Sequence, residues 1–226
     1  MFEQIKLSDH FLHYDDVQLP QGRSFVPRVQ IKTSGGNLWL TAPLDRKNSG
    51  KLIKDILFSS DVDWRDKHLK TIRNAYSRAP YFEEMLELVS AIYDYPTNFL
   101  SEFNIHAIQS ISRWLGITTE FGRSSETDIA GSSSQRLVDL CNAKQCKTYV
   151  TGLGALKYLD HGLFEQRSIS VYYMNYQKIA YPQIHGEFSP YVSIIDAIAN
   201  CGGEARHLLC SEAVFWKEFT AKIRDE

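Results

Sequence analysis

Three observations predict an α/β protein with a parallel or mixed sheet, crossover helices and an α-helical insertion. Short apolar runs bounded by turn residues fill the first quarter of the chain. Long segments between about 62 and 116 carry apolar side chains at helical spacing. From 117 to 176, strand-like and helix-like stretches alternate, the order that builds parallel strands joined by helices. The 226 residues can bury a substantial core, and we expect one domain over 1–226 with a helical subdomain at about 62–116.

Composition excludes several classes. The hydrophobic share is 43% and the charged share 23%, both ordinary for a globular chain, and the net charge of -2 offers no basic surplus for nucleic acid. No apolar run approaches the length of a membrane span, and MFEQIKLSDHF is not a signal peptide, so a cytoplasmic protein without a membrane span is expected. Cys141, Cys146, Cys201 and Cys210 form neither a CxxC metal pattern nor a disulfide framework, so reduced, packed thiols and no metal site are expected.

In chain order, residues 11–17 read as a strand ending on two acids. Residues 25–32 and 37–44 read as a hairpin about Thr33-Ser34-Gly35-Gly36, and 51–58 as a further strand. Helices follow over 64–78, 81–93 and 98–115, punctuated by Pro80, Pro96 and Gly116, with Thr97 as a cap. Residues 117–121 read as a strand, and Ser132 to Gln135 as a capping box for a helix carrying Leu137, Leu140 and Cys141. A strand at 148–150, a helix near 158–166 and a strand at 169–176 come next. An irregular loop between Pro182 and Pro190 precedes a helix over 193–200, and Ser211 is expected to cap a last helix reaching about Arg224.

Five constellations carry chemistry. TYVTGLGALKYLD at 148–160 couples a strand to a turn with Gly152 and Gly154, which tolerate positive φ and let a ligand approach the backbone. Lys157, Tyr158 and Asp160 follow within reach. Arg123, Ser124 and Ser125 place a cation beside two hydroxyls after a strand, a pattern suited to phosphate. Asp15 and Asp16 point to opposite faces of a strand, so at most one enters a given cleft, to hold an amine, a ribose or a metal. His68, at the start of a helix beside Trp64, suits a general base or a phosphate ligand. Tyr181, Gln183, His185 and Glu187 alternate through the proline-flanked loop, with His185 and Glu187 as an acid–base pair. The remaining histidines, His161 among them, show no ligand spacing. GxxxxGK[ST], GxGxxG, HExxH and GxSxG are all absent.

Seven blocks occur in one order: YDDVQ at 14–18, IKTSGGNLWLTAPL at 31–44, WRDKHLKTIRNAY at 64–76, APYFEE at 79–84, RSSE at 123–126, RLVDLCNAKQCKTYVTGLGALKYLD at 136–160 and YPQIHGEFSPYVSIIDAIANCG at 181–202. Together they resemble the WbqC-like family, bacterial proteins often encoded among genes for surface-polysaccharide (O-antigen) biosynthesis. There are two departures. Family members usually open on a block resembling QPNYLPWLGYF, and Met1-Phe2 stand about where it would end. An Asn-Arg-Asn triplet of the family reads Pro27-Arg28-Val29 here, which keeps Arg28 as a substrate-binding candidate without its two amides. The element order also resembles the nucleotidylyltransferase fold, a likeness that speaks to fold alone.

The resemblance implies an enzyme of surface-glycan biosynthesis that transfers an acyl, aminoacyl or nucleotidyl group to an amino sugar or similar acceptor. Its partner is a small molecule, with ATP or a nucleotide-linked donor as cofactor. Lys157 and Arg123 would stabilise negative charge, His68 or His185 would take the proton, and Asp15 or Asp16 would hold the acceptor. The other reading is a non-catalytic sugar- or nucleotide-binding accessory protein.

Overall fold

The computed structural model describes residues 1–20, 24–48 and 50–224. In chain order its elements are α1 (Phe2–Lys6), β1 (His10–His13), β2 (Arg28–Thr33), β3 (Gly36–Thr41), α2 (Trp64–Tyr76), α3 (Phe82–Tyr93) and α4 (Leu100–Trp114). Then come β4 (Glu120–Arg123), α5 (Ser133–Ala143), β5 (Thr148–Thr151), α6 (His161–Gln166), β6 (Ser170–Asn175), α7 (Ile194–Cys201), β7 (Glu212–Phe215) and α8 (Trp216–Arg224). The class is α/β, with both parallel and mixed sheets. The chain divides into two compact units. One comprises Met1–His13, Thr118–Gln177 and Leu209–Glu226; the other comprises Tyr14–Ile117 and Lys178–Leu208. Among the described residues no helix is long and apolar enough to cross a membrane.

The first unit holds the parallel strands. β1 pairs with β4 from His10↔Glu120 to His13↔Arg123. β5 pairs in parallel with β6, and α6 lies in the crossover between them, as the alternation over 117–176 predicts. Asp160 starts α6 by accepting from the amides of Gly162 and Leu163. Ser168, at φ 54, ends that segment in the left-handed conformation while Ile169 N–H bonds back to Phe164 O at 3.0 Å. Val171 and Tyr173 of β6 then alternate onto one buried face, with Val138 of α5, Ala155, Leu159 and Phe164 against them.

The second unit joins the β2–β3 hairpin to α2, α3, α4 and α7. Its register runs to Thr33↔Gly36 across a two-residue turn, and Gly36 takes φ 101, as the Ser34-Gly35-Gly36 run suggests. On α2, Trp64, His68, Ile72, Ala75 and Tyr76 form one buried stripe. Asp63 caps this helix, and Gly116 closes the α4 segment at φ 72. Phe58, Trp64, Tyr93 and Phe103 pack as an aromatic cluster with ring centroids 4.7–5.8 Å apart.

Several expected elements differ. Residues 51–58 form no strand: Ile53–Asp55 is a 3-10 turn, and Leu52 and Phe58 make only isolated bridges because no continuous strand runs alongside. The first strand stops at His13, and β4 begins at Glu120 rather than at 117. Ser132 precedes α5 without a side-chain capping bond, so the capping box does not form. Thr97 Oγ1 does accept from Phe99 N–H at 3.1 Å, just ahead of α4. The last segment is not one helix. Glu212 to Phe215 pair antiparallel with Asn175 to Tyr172, so the open edge of β6 captures a strand, and only then does α8 begin. Ser211 instead accepts from Gln177 N–H at 2.8 Å and bonds to the Glu3 carboxylate.

Candidate functional site

One group of the expected residues lies at or beyond the carboxyl ends of β4 and β5, all in the first unit. β4 ends on Arg123, and Ser124–Glu126 form a 3-10 turn in which Ser124 is fully buried. Arg123 Nε lies 3.6 Å from Glu126 Oε1. β5 ends at Thr151, and Leu153–Lys157 form another 3-10 turn. The two post-strand segments meet: Ser134 Oγ, at the start of α5, accepts from Asp160 N–H at 2.9 Å. In open α/β sheets ligands bind beyond the carboxyl ends of parallel strands, where successive loops diverge and their amides and side chains converge on the same space.

Lys157 and Tyr158 are exposed on the post-β5 turn, and Lys157 has no ion-pair partner among the described residues. Asp160 spends its Oδ1 on capping α6, so its role in the fold is established independently of any ligand. The glycine geometry differs from expectation. Gly152 has φ -88, and Gly154 lies in the 3-10 turn without positive φ, so neither is needed for left-handed backbone. A Cβ at either would meet nothing within 4 Å. These glycines leave room rather than make a turn.

Below this edge lies a pair that the sequence does not mark. His161 Nε2 is 2.9 Å from the Tyr173 hydroxyl, and its ring stacks on Trp216 with centroids 4.2 Å apart. Burial lowers the His161 pKa, with Asp160 and Glu165 opposing, so the neutral imidazole is favoured. Burial also raises the Tyr173 pKa, with Tyr158 adding to it. His161 stands 12 residues from Tyr173 in the chain, and only the β5–β6 crossover brings them together.

The remaining expected residues belong to the second unit. Asp15 is buried, and its carbonyl accepts from Lys54 N–H at 2.8 Å; Asp16 follows it in the same unit. Arg28 donates to Ser24 O at 3.1 Å, and its guanidinium lies 4.5 Å from the Trp39 ring centroid. His68 is 7% exposed, with Nδ1 at 3.2 Å from the Tyr93 hydroxyl and its ring edge-on to Trp64. Burial lowers its pKa, and a backbone hydrogen bond at Thr41 only partly opposes that.

Tyr181, Gln183 and His185 enter a buried network that anchors the proline-flanked loop. Its centre is Asp196 of α7, 1% exposed. Tyr76 and Tyr181 donate their hydroxyls to its two carboxylate oxygens, each at 2.9 Å, and Gln183 Nε2 donates at 2.9 Å. Asn200, one turn along α7, adds a 3.3 Å contact to Oδ1 and accepts from Ile184 N–H. Lys32, itself buried, donates to Gln183 Oε1 at 2.7 Å and to the Glu187 carbonyl, so one amide links a buried lysine to a buried carboxylate. His185 Nε2 donates to Ala75 O at 2.7 Å. Burial first, then the Asp196 charge, raises the Tyr76 and Tyr181 pKa values well above the usual phenol range. Sequence reasoning missed Lys32, Tyr76, Asp196 and Asn200. The readable signal was Asp196 and Asn200, four apart on the otherwise apolar helix IIDAIANC.

Among the described residues no group of three or more His, Cys, Asp or Glu side chains is arranged to hold a metal ion. A model of the WbqC-like protein family matches residues 1–208. Over 208 residues the chain is 34% identical to a Mycobacterium tuberculosis protein described as uncharacterized protein Rv1507c, covering 90% of this chain and 89% of that one. No solved structure matches.

Proposed function

The chain belongs to the WbqC-like protein family, and from that premise we propose that it is a group-transfer enzyme of bacterial surface-glycan biosynthesis. It moves an acyl, aminoacyl or nucleotidyl group from an ATP-derived or nucleotide-linked donor to an amino sugar or similar acceptor. One observation carries the reading: the segments leaving β4 and β5 are hydrogen-bonded through Ser134 and Asp160, with Arg123 on one and Lys157 on the other. Two cations at the carboxyl ends of parallel strands suit a phosphorylated donor, because they can meet the charge that develops on its oxygens in the transition state. The small residues at 152 and 154 leave the backbone of the post-β5 turn open to such a donor.

In this reading His161, neutral and hydrogen-bonded to Tyr173, takes the acceptor proton; Tyr173 fixes the imidazole orientation. His68 is less suited than the sequence suggests, because it is packed among aromatic rings. The test is donor binding. The wild-type protein should gain thermal stability with ATP or a nucleotide sugar, and Lys157→Ala should abolish that gain without changing the unliganded Tm. A gain that survives Lys157→Ala, or none with any nucleotide donor, overturns the reading. Binding without turnover on any acceptor tried, unaltered by His161→Gln, would favour the accessory sugar- or nucleotide-binding role.

A further inference from the structure

The second unit contains a cleft of 390 Å³ whose lining residues take no part in the proposed donor site. Its inner wall is aromatic: Phe58 and Trp64 lie 4.7 Å apart by ring centroid. Arg65 lies beside them, 5.0 Å from the Trp64 centroid, with Nη1 and Nη2 each 2.6 Å from a carbonyl, those of Tyr93 and Thr97. That clamp holds the guanidinium as part of the wall. The mouth is polar and carries two carboxylates, Asp45 and Asp63. Each spends Oδ1 on a backbone amide: Asp45 accepts from Lys47 N–H at 2.9 Å and Asp63 from Asp66 N–H at 3.2 Å. Their second oxygens accept no hydrogen bond among the described residues, although the Asp63 charge also faces Arg65, and the Ser60 hydroxyl and the Asn98 side-chain amide make no hydrogen bond there either.

We infer that this cleft binds a hydroxylated primary amine of monosaccharide size, with an amino sugar as the fitting member of the class. The volume is within the range of small-molecule sites, about 300–1,000 Å³. Two carboxylates against one guanidinium leave the cleft with a net negative charge, which selects an ammonium over a neutral or anionic ligand. The unspent carboxylate oxygens, hydroxyl and amide supply acceptors and donors for ring hydroxyls. The Phe58 and Trp64 rings are buried beneath the Arg65 guanidinium, so the exposed side chain of Val62 is the apolar surface that faces the C–H groups of a pyranose, which cannot hydrogen-bond. The inference concerns binding alone and stands whether or not the transfer reaction proposed above is correct.

The test is calorimetric titration of the full chain at pH 7 and low salt with glucosamine, glucose, N-acetylglucosamine and ethanolamine. Glucosamine should bind at least about tenfold tighter than each of the other three, and added salt should weaken it. Asp63→Asn keeps a side chain that caps α2 equally well, and Asp45→Asn keeps the acceptor for Lys47 N–H, so both variants should fold with an unchanged Tm. Each should lower glucosamine affinity about fivefold or more while leaving the Tm gain with nucleotide donors intact. Equal affinity for glucose and glucosamine, equal affinity for ethanolamine, full affinity in both variants, or no glucosamine binding at all would each overturn the inference.

Discussion

The buried network of the second unit and the post-β5 turn of the first spend their polar side chains in opposite ways. In the network, Asp196, Tyr76, Tyr181, Gln183, Asn200 and Lys32 bond to one another in the interior. On the turn, Lys157 and Tyr158 stay exposed after a parallel strand, and the glycines beside them face open space. Residue type alone did not distinguish the two cases. YPQIH and TGLGALKY look equally rich in chemistry, yet most of the first is committed to holding a loop in place. The contrast predicts that substitutions in the Asp196 network act mainly on stability, and that those on the post-β5 turn act mainly on the proposed donor binding.

The largest expected effect follows from the network. Asp196→Ala strands two phenol hydroxyl donors in the interior, leaves the Gln183 amide held by Ser189 O alone, and leaves Lys32 facing an amide without its carboxylate. We expect a loss of about 3–5 kcal/mol, as when one partner of a buried charged network is removed. Urea denaturation measures it, and a loss near that of an ordinary surface change would show that the network is dispensable. Next comes Gly202→Ala at the end of α7. Gly202 has φ 55 and ψ -138, and a Cβ there would lie 2.4 Å from Tyr81 Cδ1. The backbone term alone costs about 1–3 kcal/mol, and the overlap with the ring adds to it. Unchanged stability would mean that Tyr81 is free to move aside.

The pH dependence comes third. His68 and His161 both have pKa values lowered from 6.5, chiefly by burial. Below that value the unfolded chain binds protons that the folded chain resists, so this contribution is full above pH 6.5 and is lost as pH falls through the window beneath it. Urea midpoints should therefore drop from pH 7.5 towards acid. His68→Gln should flatten that drop more than His161→Gln, because His68 is the more deeply buried. Equal slopes in wild type and both variants would place the titrating groups elsewhere.

What could be read from the sequence was what short-range physics decides. The stripes of α2 and α3, their proline boundaries and the Ser34-Gly35 turn follow from side-chain period and turn chemistry. β7 did not, because Glu212 to Phe215 become a strand only when β6 offers an open edge. The same limit applies to the sites. Arg123, Ser124, Lys157 and Tyr158 could be named as candidates from the sequence because they sit at or beyond the ends of strands, where loops carry function. Lys32 was not, since a strand lysine is usually solvated, and its burial depends on a loop some 150 residues away. His161 likewise gains meaning only from Tyr173 across the crossover.

The smallest stability effect gives the sharpest test of the contrast. Gly154→Ala places a methyl group where no protein atom lies within 4 Å, on a backbone with ordinary φ. The folded state loses nothing, and the unfolded chain loses freedom, so stability should stay within about 0.5 kcal/mol of wild type or rise slightly. If the fold does not need a glycine at 154, the proposed donor site is what its open backbone would serve. Gly154→Ala and the bulkier Gly154→Val should then weaken donor binding in that order, while Tm without ligand stays level. If both bind a nucleotide donor as wild type does, the open turn is not a wall of the site, and Lys157 must act from elsewhere on the surface. If Gly154→Val instead lowers the unliganded Tm by several degrees, the turn packs against something in the folded state, and the division between a spent network and an open turn fails.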